Sequence, residues 1–198
     1  GDVLKSDIMI ELASVLSFSA IKNNDKVGLL LFSDRIEKYI PPQKGKSHVL
    51  RVIREIIFHK AIDRGTNIKF ALDHIQKVLK RKSIIFLLSD FWDDSFYDSI
   101  NRINKKHDLI NIQILDQSEL ALLNLGLIKV HDAENHNALW VDFFSTRNRA
   151  IFSKHTSNKN NYIYSFCKRN NIDIIRINTK IGYVDPLVHF FNSRLNKH

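Results

Sequence analysis

Asp90, Asp93 and Asp94 crowd a six-residue stretch, Ser89-Asp90-Phe91-Trp92-Asp93-Asp94, behind the apolar run Ile84-Ile85-Phe86-Leu87-Leu88. Carboxylates this close can share divalent metal ions, as phosphoryl-transfer enzymes do. They can equally be helix N-caps and first-turn acids, which the helix dipole favours. Thr66, in Gly65-Thr66-Asn67-Ile68, offers a hydroxyl either to a metal or to the helix beginning at Asn67. His131, Asp132, Glu134 and His136 have the look of a ligand cluster, but a polar hairpin tip explains them as well. Cys167 stands beside Phe166 with no base in view, so a core position suits it better than a nucleophile's. His48, His59, His74 and His107 share no spacing and take no role.

The elements that must carry these residues alternate regularly. Lys26-Val27-Gly28-Leu29-Leu30-Leu31-Phe32-Ser33-Asp34 and Ser83 to Asp90 are short apolar runs ending in Ser-Asp. Such runs, flanked by helical patterns, read as strands of a parallel sheet buried on both faces. Open α/β sheets bind ligands at the carboxyl ends of their strands, where Asp90 stands. Helical spacing predicts helices over 6–22, 47–58 (Leu50, Ile53 and Ile57 inward), 67–80 and 95–106. A strand over 36–40 is stopped by Pro41-Pro42 and expected at an antiparallel edge. A strand over 109–115 precedes a hairpin inserted at about 117–145. A helix over 146–170, broken near Ser157-Asn158, a strand over 172–177 and a helix over 185–196 with Pro186 at its first position close the chain.

Composition narrows the classes. The 198 residues are 44% hydrophobic and suit one α/β domain, with no linker to divide it. No apolar segment approaches the roughly 20 residues that span a bilayer. One cysteine excludes an intrachain disulfide and fits a reducing, cytoplasmic setting. The net charge of +9 is scattered over helix ends without interleaved aromatics, so solvated surface explains it better than nucleic-acid binding.

Four segments together carry a resemblance: Lys26 to Asp34; Tyr39-Ile40-Pro41-Pro42 with Lys44-Gly45; Gly65-Thr66-Asn67-Ile68; and Leu88-Ser89-Asp90-Phe91. In this order they resemble the von Willebrand factor A-like domain of the bacterial "domain of unknown function 58" family. His107 to Ile110 and Gly126-Leu127 fit it too. The resemblance covers nearly the whole chain. It implies a three-layer α/β/α, doubly wound, mostly parallel sheet with one antiparallel edge strand and the inserted hairpin. It further implies a metal-ion-dependent adhesion site for Mg²⁺ or Mn²⁺, in which Thr66 and Asp90 match two ligands. Nothing here matches the family's Asp-x-Ser-x-Ser loop or the strand before it, because the chain opens on the helix that should follow. The site is therefore expected to be incomplete, and the sheet to leave a gap between two strands. Dimerisation, strand exchange or the first residues of the chain are expected to fill it.

Two function classes follow. The favoured one is a non-enzymatic protein-interaction module. Its intact metal site would take a partner's carboxylate, and the resemblance implies a MoxR-type AAA+ ATPase as partner. The alternative is a metal-dependent hydrolase or phosphotransferase using Asp90, Asp93 and Asp94. That reading lacks a nucleophile with a base, and six glycines in all argue against a phosphate-cradling loop.

Overall fold

A computed structural model describes residues 4–60, 65–116, 126–131, 138–142 and 144–196. Its elements run α1 (Lys5–Lys22), β1 (Val27–Phe32), β2 (Ile36–Gln43), α2 (Lys46–Phe58), α3 (Ile68–Val78), β3 (Ile84–Ser89), α4 (Tyr97–Lys106) and β4 (Asp108–Leu115). They continue with β5 (Leu127–His131), β6 (Ala138–Asp142), α5 (Thr146–Arg169), β7 (Asp173–Asn178) and α6 (Val184–Leu195). No described helix is long and apolar enough to cross a membrane.

The strands fall into three groups. β3, β4 and β7 form a parallel sheet in that order, β1 and β2 pair antiparallel, and β5 and β6 make the expected hairpin. β4 lies in the middle, and its six inner residues are buried. Side chains on the two faces of the parallel sheet enter separate clusters. Leu87, Leu109 and Ile174 pack with Ile68 and Leu72 of α3, Ile100 and Ile103 of α4, and Ile163 and Cys167 of α5. Ile110, Ile112, Ile114, Ile175 and Ile177 pack instead with Ile8 and Leu12 of α1 and Leu187 of α6.

No described strand joins β1 to β3, so β1–β2 and β3–β4–β7 stand as separate sheets among the described residues. α1 spans the division. Its Ile8 and Leu12 enter the core of the parallel sheet, while Ile10 and Ala13 pack against Ile40, Val52 and Ile56 beneath α2. Burying Ile8 and Leu12 contributes on the order of 1.5–3 kcal/mol apiece, ahead of ordering costs. The helix therefore does as a clamp what ladder hydrogen bonds do inside an undivided sheet.

Five sequence expectations need correction. β1 pairs antiparallel with β2 and has no parallel neighbour among the described residues, and neither β1 nor β3 is buried on both faces, since β1 is half-buried and Ile84 of β3 is exposed. In α2 the buried stripe is Val49, Val52, Ile53 and Ile56, while Leu50 and Ile57 face solvent. β2 continues through Pro41-Pro42 to Gln43, which pairs with Val27 across a ladder irregularity between Val27 and Leu29. Among the described residues it pairs with β1 alone, an edge position where missing proline N–H groups cost little. α5 passes Ser157-Asn158 without a break. α6 begins at Val184, which puts Pro186 inside the first turn, where no intrahelical donor is yet required.

Candidate functional site at the carboxyl ends of β1 and β3

Three loops meet where β1 and β3 end, and the N-terminus of α3 ties them together. The Asn67 amide donates to the carbonyl of Ser33 (2.8 Å), just past β1. The next amide, Ile68, donates to the Asp93 carboxylate (2.8 Å), just past β3. Gly65 belongs to the same junction, since a Cβ there would lie 3.2 Å from the Cβ of Asp34. Asn67, not Thr66, is the N-cap: its side chain accepts from the Phe70 amide at 2.8 Å. Thr66 is exposed beside it.

The chain turns sharply after β3. The Ser89 hydroxyl accepts from the Phe91 amide (3.0 Å), and Phe91 adopts φ +59°. This left-handed conformation is costly for a bulky residue, on the order of 1–3 kcal/mol. Burial of the Phe91 ring beside Phe96 holds it there. The turn leaves the carboxylate of Asp90 standing at the strand end, about a third exposed. Lys5, in the first turn of α1, brings its ammonium to 3.5 Å from it. The Trp92 amide donates to the other oxygen of the same carboxylate at 3.4 Å.

Asp93 and Asp94 do different work. Asp93 turns one oxygen to Ile68 and the other to the amide and hydroxyl of Ser95, both at 2.8 Å. It is a helix-capping acid, but for α3 rather than for the helix that follows it in sequence. Asp94 pairs with Lys159 of α5 (3.1 Å), whose ammonium also reaches the Trp92 carbonyl and lies over the Trp92 ring. Asp94 also helps burial to push the Tyr97 hydroxyl up to about 12, with burial the larger cause. The sequence missed Lys5, Lys159 and Asn67. Only Asn67 carried a local signal, an Asn immediately before a helical stripe.

The other candidates lie apart. Cys167 is fully buried under α5, where it accepts a weak 3.6 Å contact from Asn111 and burial pushes its thiol up to about 11. His48 reaches the carbonyl of Val27, and His59 pairs with Glu37. His74 meets Tyr39 edge-on, and His107 is buried with neither ring nitrogen bonded. Of the hairpin cluster, Asp132, Glu134 and His136 fall outside the described residues.

The donors around Asp90 do not by themselves suit Mg²⁺, which demands near-octahedral oxygen geometry. One carboxylate already facing an ammonium and one exposed hydroxyl are too few. Among the described residues no three His, Cys, Asp or Glu side chains gather into a metal-binding group.

Comparison with known proteins gives three results. Residues 1–162 match the family model described as "Protein of unknown function DUF58". Over 134 residues the chain is 21% identical to the uncharacterized protein Mb1516 of Mycobacterium bovis and to the uncharacterized protein Rv1480 of Mycobacterium tuberculosis. Those matches cover 66% of this chain but only 42% of each relative, so it spans well under half their length. The crystal structure of the conserved hypothetical protein BatB from Bacteroides thetaiotaomicron superposes with a TM-score of 0.50 at 11% identity. It covers 85% of this chain and 80% of that one, a likeness of fold.

Proposed function

Because this chain belongs to the DUF58 family, we propose that it is a protein-interaction module with a von Willebrand factor A-like, three-layer, doubly wound fold in one domain, and not an enzyme. Its working end is the loop junction at Asp90 and Thr66. The observation that carries the reading is the anchoring of that junction: one helix N-terminus holds the exits of both β1 and β3 through Asn67, Ile68 and Asp93. A contact surface needs such fixed loops.

A Mg²⁺ or Mn²⁺ ion shared with a partner's carboxylate is the recognition chemistry we propose for the complete site. Asp90 and Thr66 would be among its oxygen donors, and the remaining donors would come from outside the described residues. The proposed partner is a MoxR-type AAA+ ATPase, with assembly of other complexes as the outcome. The hydrolase alternative loses ground because Asp93 and Asp94 are engaged in holding loops and α5.

The test is capture of that ATPase, purified, by the protein and by its Asp90→Ala variant. The variant should lose binding while its folding stability stays within about 1 kcal/mol. Undiminished capture by Asp90→Ala would remove Asp90 from the interface.

A further inference from the structure

α2 turns to solvent a face that its own packing does not use. Leu50, Ile57 and Phe58 are 44, 49 and 74% exposed there. Between and beside them stand Lys46, Arg51 and Arg54, all exposed, with Lys60 just past the helix end. None of these four cations has an ion-pair partner among the described residues. The only acid of the helix, Glu55, is partly buried and is held by Lys38 at 3.3 Å. At 1.5 Å per residue the face runs about 20 Å. It ends in a concavity of about 320 Å³ lined by Arg54, Glu55, Phe58, His59 and Lys60.

The face is thus unsatisfied twice over. It exposes three large apolar side chains, and it gathers four cations without an ion-pair partner among the described residues, the neighbouring Glu55 being taken by Lys38. We propose that it docks an acidic amphipathic segment of a partner protein. The partner's carboxylates lie along Lys46, Arg51, Arg54 and Lys60, and its apolar side chains pack on Leu50, Ile57 and Phe58. Charge selects this occupant over a second copy of the chain, whose α2 would bring the same sign to the contact. The concavity beside Phe58 selects it over a bilayer, because a pocket receives a protruding side chain and a lipid surface offers none. α2 packs on α1 and β1, and the side chains that form this face are not among those that hold the loops around Asp90, so the proposal rests on observations separate from the function proposed above.

The probe is a short fluorescent peptide alternating Glu with Leu and Phe, titrated with the whole chain and followed by anisotropy. A counterpart with Lys in place of Glu is the control. The acidic peptide should bind and the Lys peptide should not, with affinity falling as salt rises from low to physiological strength. Arg51→Glu combined with Arg54→Glu should weaken binding by about tenfold or more, and Phe58→Ser should also weaken it. Neither change should move the thermal midpoint, because all three side chains are exposed. Equal binding of both peptides, binding of neither, or full binding by the double variant would overturn the proposal. So would Arg51- and Arg54-dependent binding to anionic vesicles that the acidic peptide fails to compete, which would assign the face to membrane. A dimer in sedimentation that Phe58→Ser dissolves would overturn it as well, in favour of a second copy.

Discussion

The Asp93 carboxylate accepts the Ile68 amide at 2.8 Å, so the acid that follows β3 caps a helix that precedes it in the chain. With Asn67 serving Phe70, two of the orphan amides of α3 are satisfied from two different loops. Asp93→Ala frees the Ile68 amide and both Ser95 contacts together. It should cost about 1–2 kcal/mol, read as a lower urea midpoint at unchanged slope. Asp93→Asn keeps an acceptor and should cost less. A loss under about 0.5 kcal/mol would mean that water replaces the carboxylate without penalty.

Lys5 and Asp90 form a pair of another kind. Both are partly exposed and 3.5 Å apart, where solvent screening leaves an ion pair little net worth. Lys5→Ala should therefore change stability by less than about 1 kcal/mol. It should also release the carboxylate, so that Lys5→Ala captures the proposed ATPase at least as well as the parent protein, and Lys5→Ala combined with Asp90→Ala does not. Equal capture by all three would deny Asp90 any part in that contact.

His107 gives the fold a pH dependence. It is buried without a hydrogen-bond partner, and burial, with Lys106 second, lowers its pKa below the usual histidine value. The unfolded chain then binds a proton more readily than the folded one. The contribution of His107 is complete above an unfolded pKa near 6.5 and is lost as pH falls from there through the folded pKa. Denaturation midpoints measured between neutral and mildly acid pH should fall, and His107→Leu should flatten that part of the curve. An equal slope in the variant would place the titration elsewhere.

Cys167 should be chemically silent in the native protein. Its thiol is fully buried and pushed up to about 11, so almost no thiolate exists near neutral pH. Ellman's reagent should react slowly with the folded chain and at once in denaturant. Rapid native reaction would show that α5 opens readily from the sheet.

What the sequence revealed and what it hid follow one physical line. Strands ending at Phe32 and Ser89 were legible as strands because both are short apolar runs that close on Ser-Asp. The α2 stripe was misread because Leu50, Ile53 and Ile57 keep helical spacing as well as Val49, Val52, Ile53 and Ile56 do. Periodicity gives the period and not which of two apolar faces meets the core. Asp90 was legible as a strand-end acid, since its place depends on the strand alone. Its partner Lys5 was not, because the contact joins α1 to β3 through tertiary packing. The job of Asp93 was hidden for the same reason: a capping acid usually serves the helix that follows, and here the nearer open amide belongs to α3.

The division between β1 and β3 supports a last prediction. Among the described residues β1 bonds only to β2, and β3 only to β4. Among those residues each strand keeps one edge whose alternate amides have no ladder partner. In a dilute sample those amides should exchange with deuterium far faster than the amides facing β2 and β4, because exchange follows local protection. If the open edges pair between molecules, protection should appear on β1 and β3 together as concentration rises, alongside a dimer in sedimentation. Leu29, Leu30 and Leu31 are only half-buried on β1, as are Ile85, Phe86 and Leu88 on β3, so apolar burial would reinforce the new ladder. Protection of both edges at every concentration in a monomer would overturn the open-edge account, because a strand from outside the described residues would then already be seated between them.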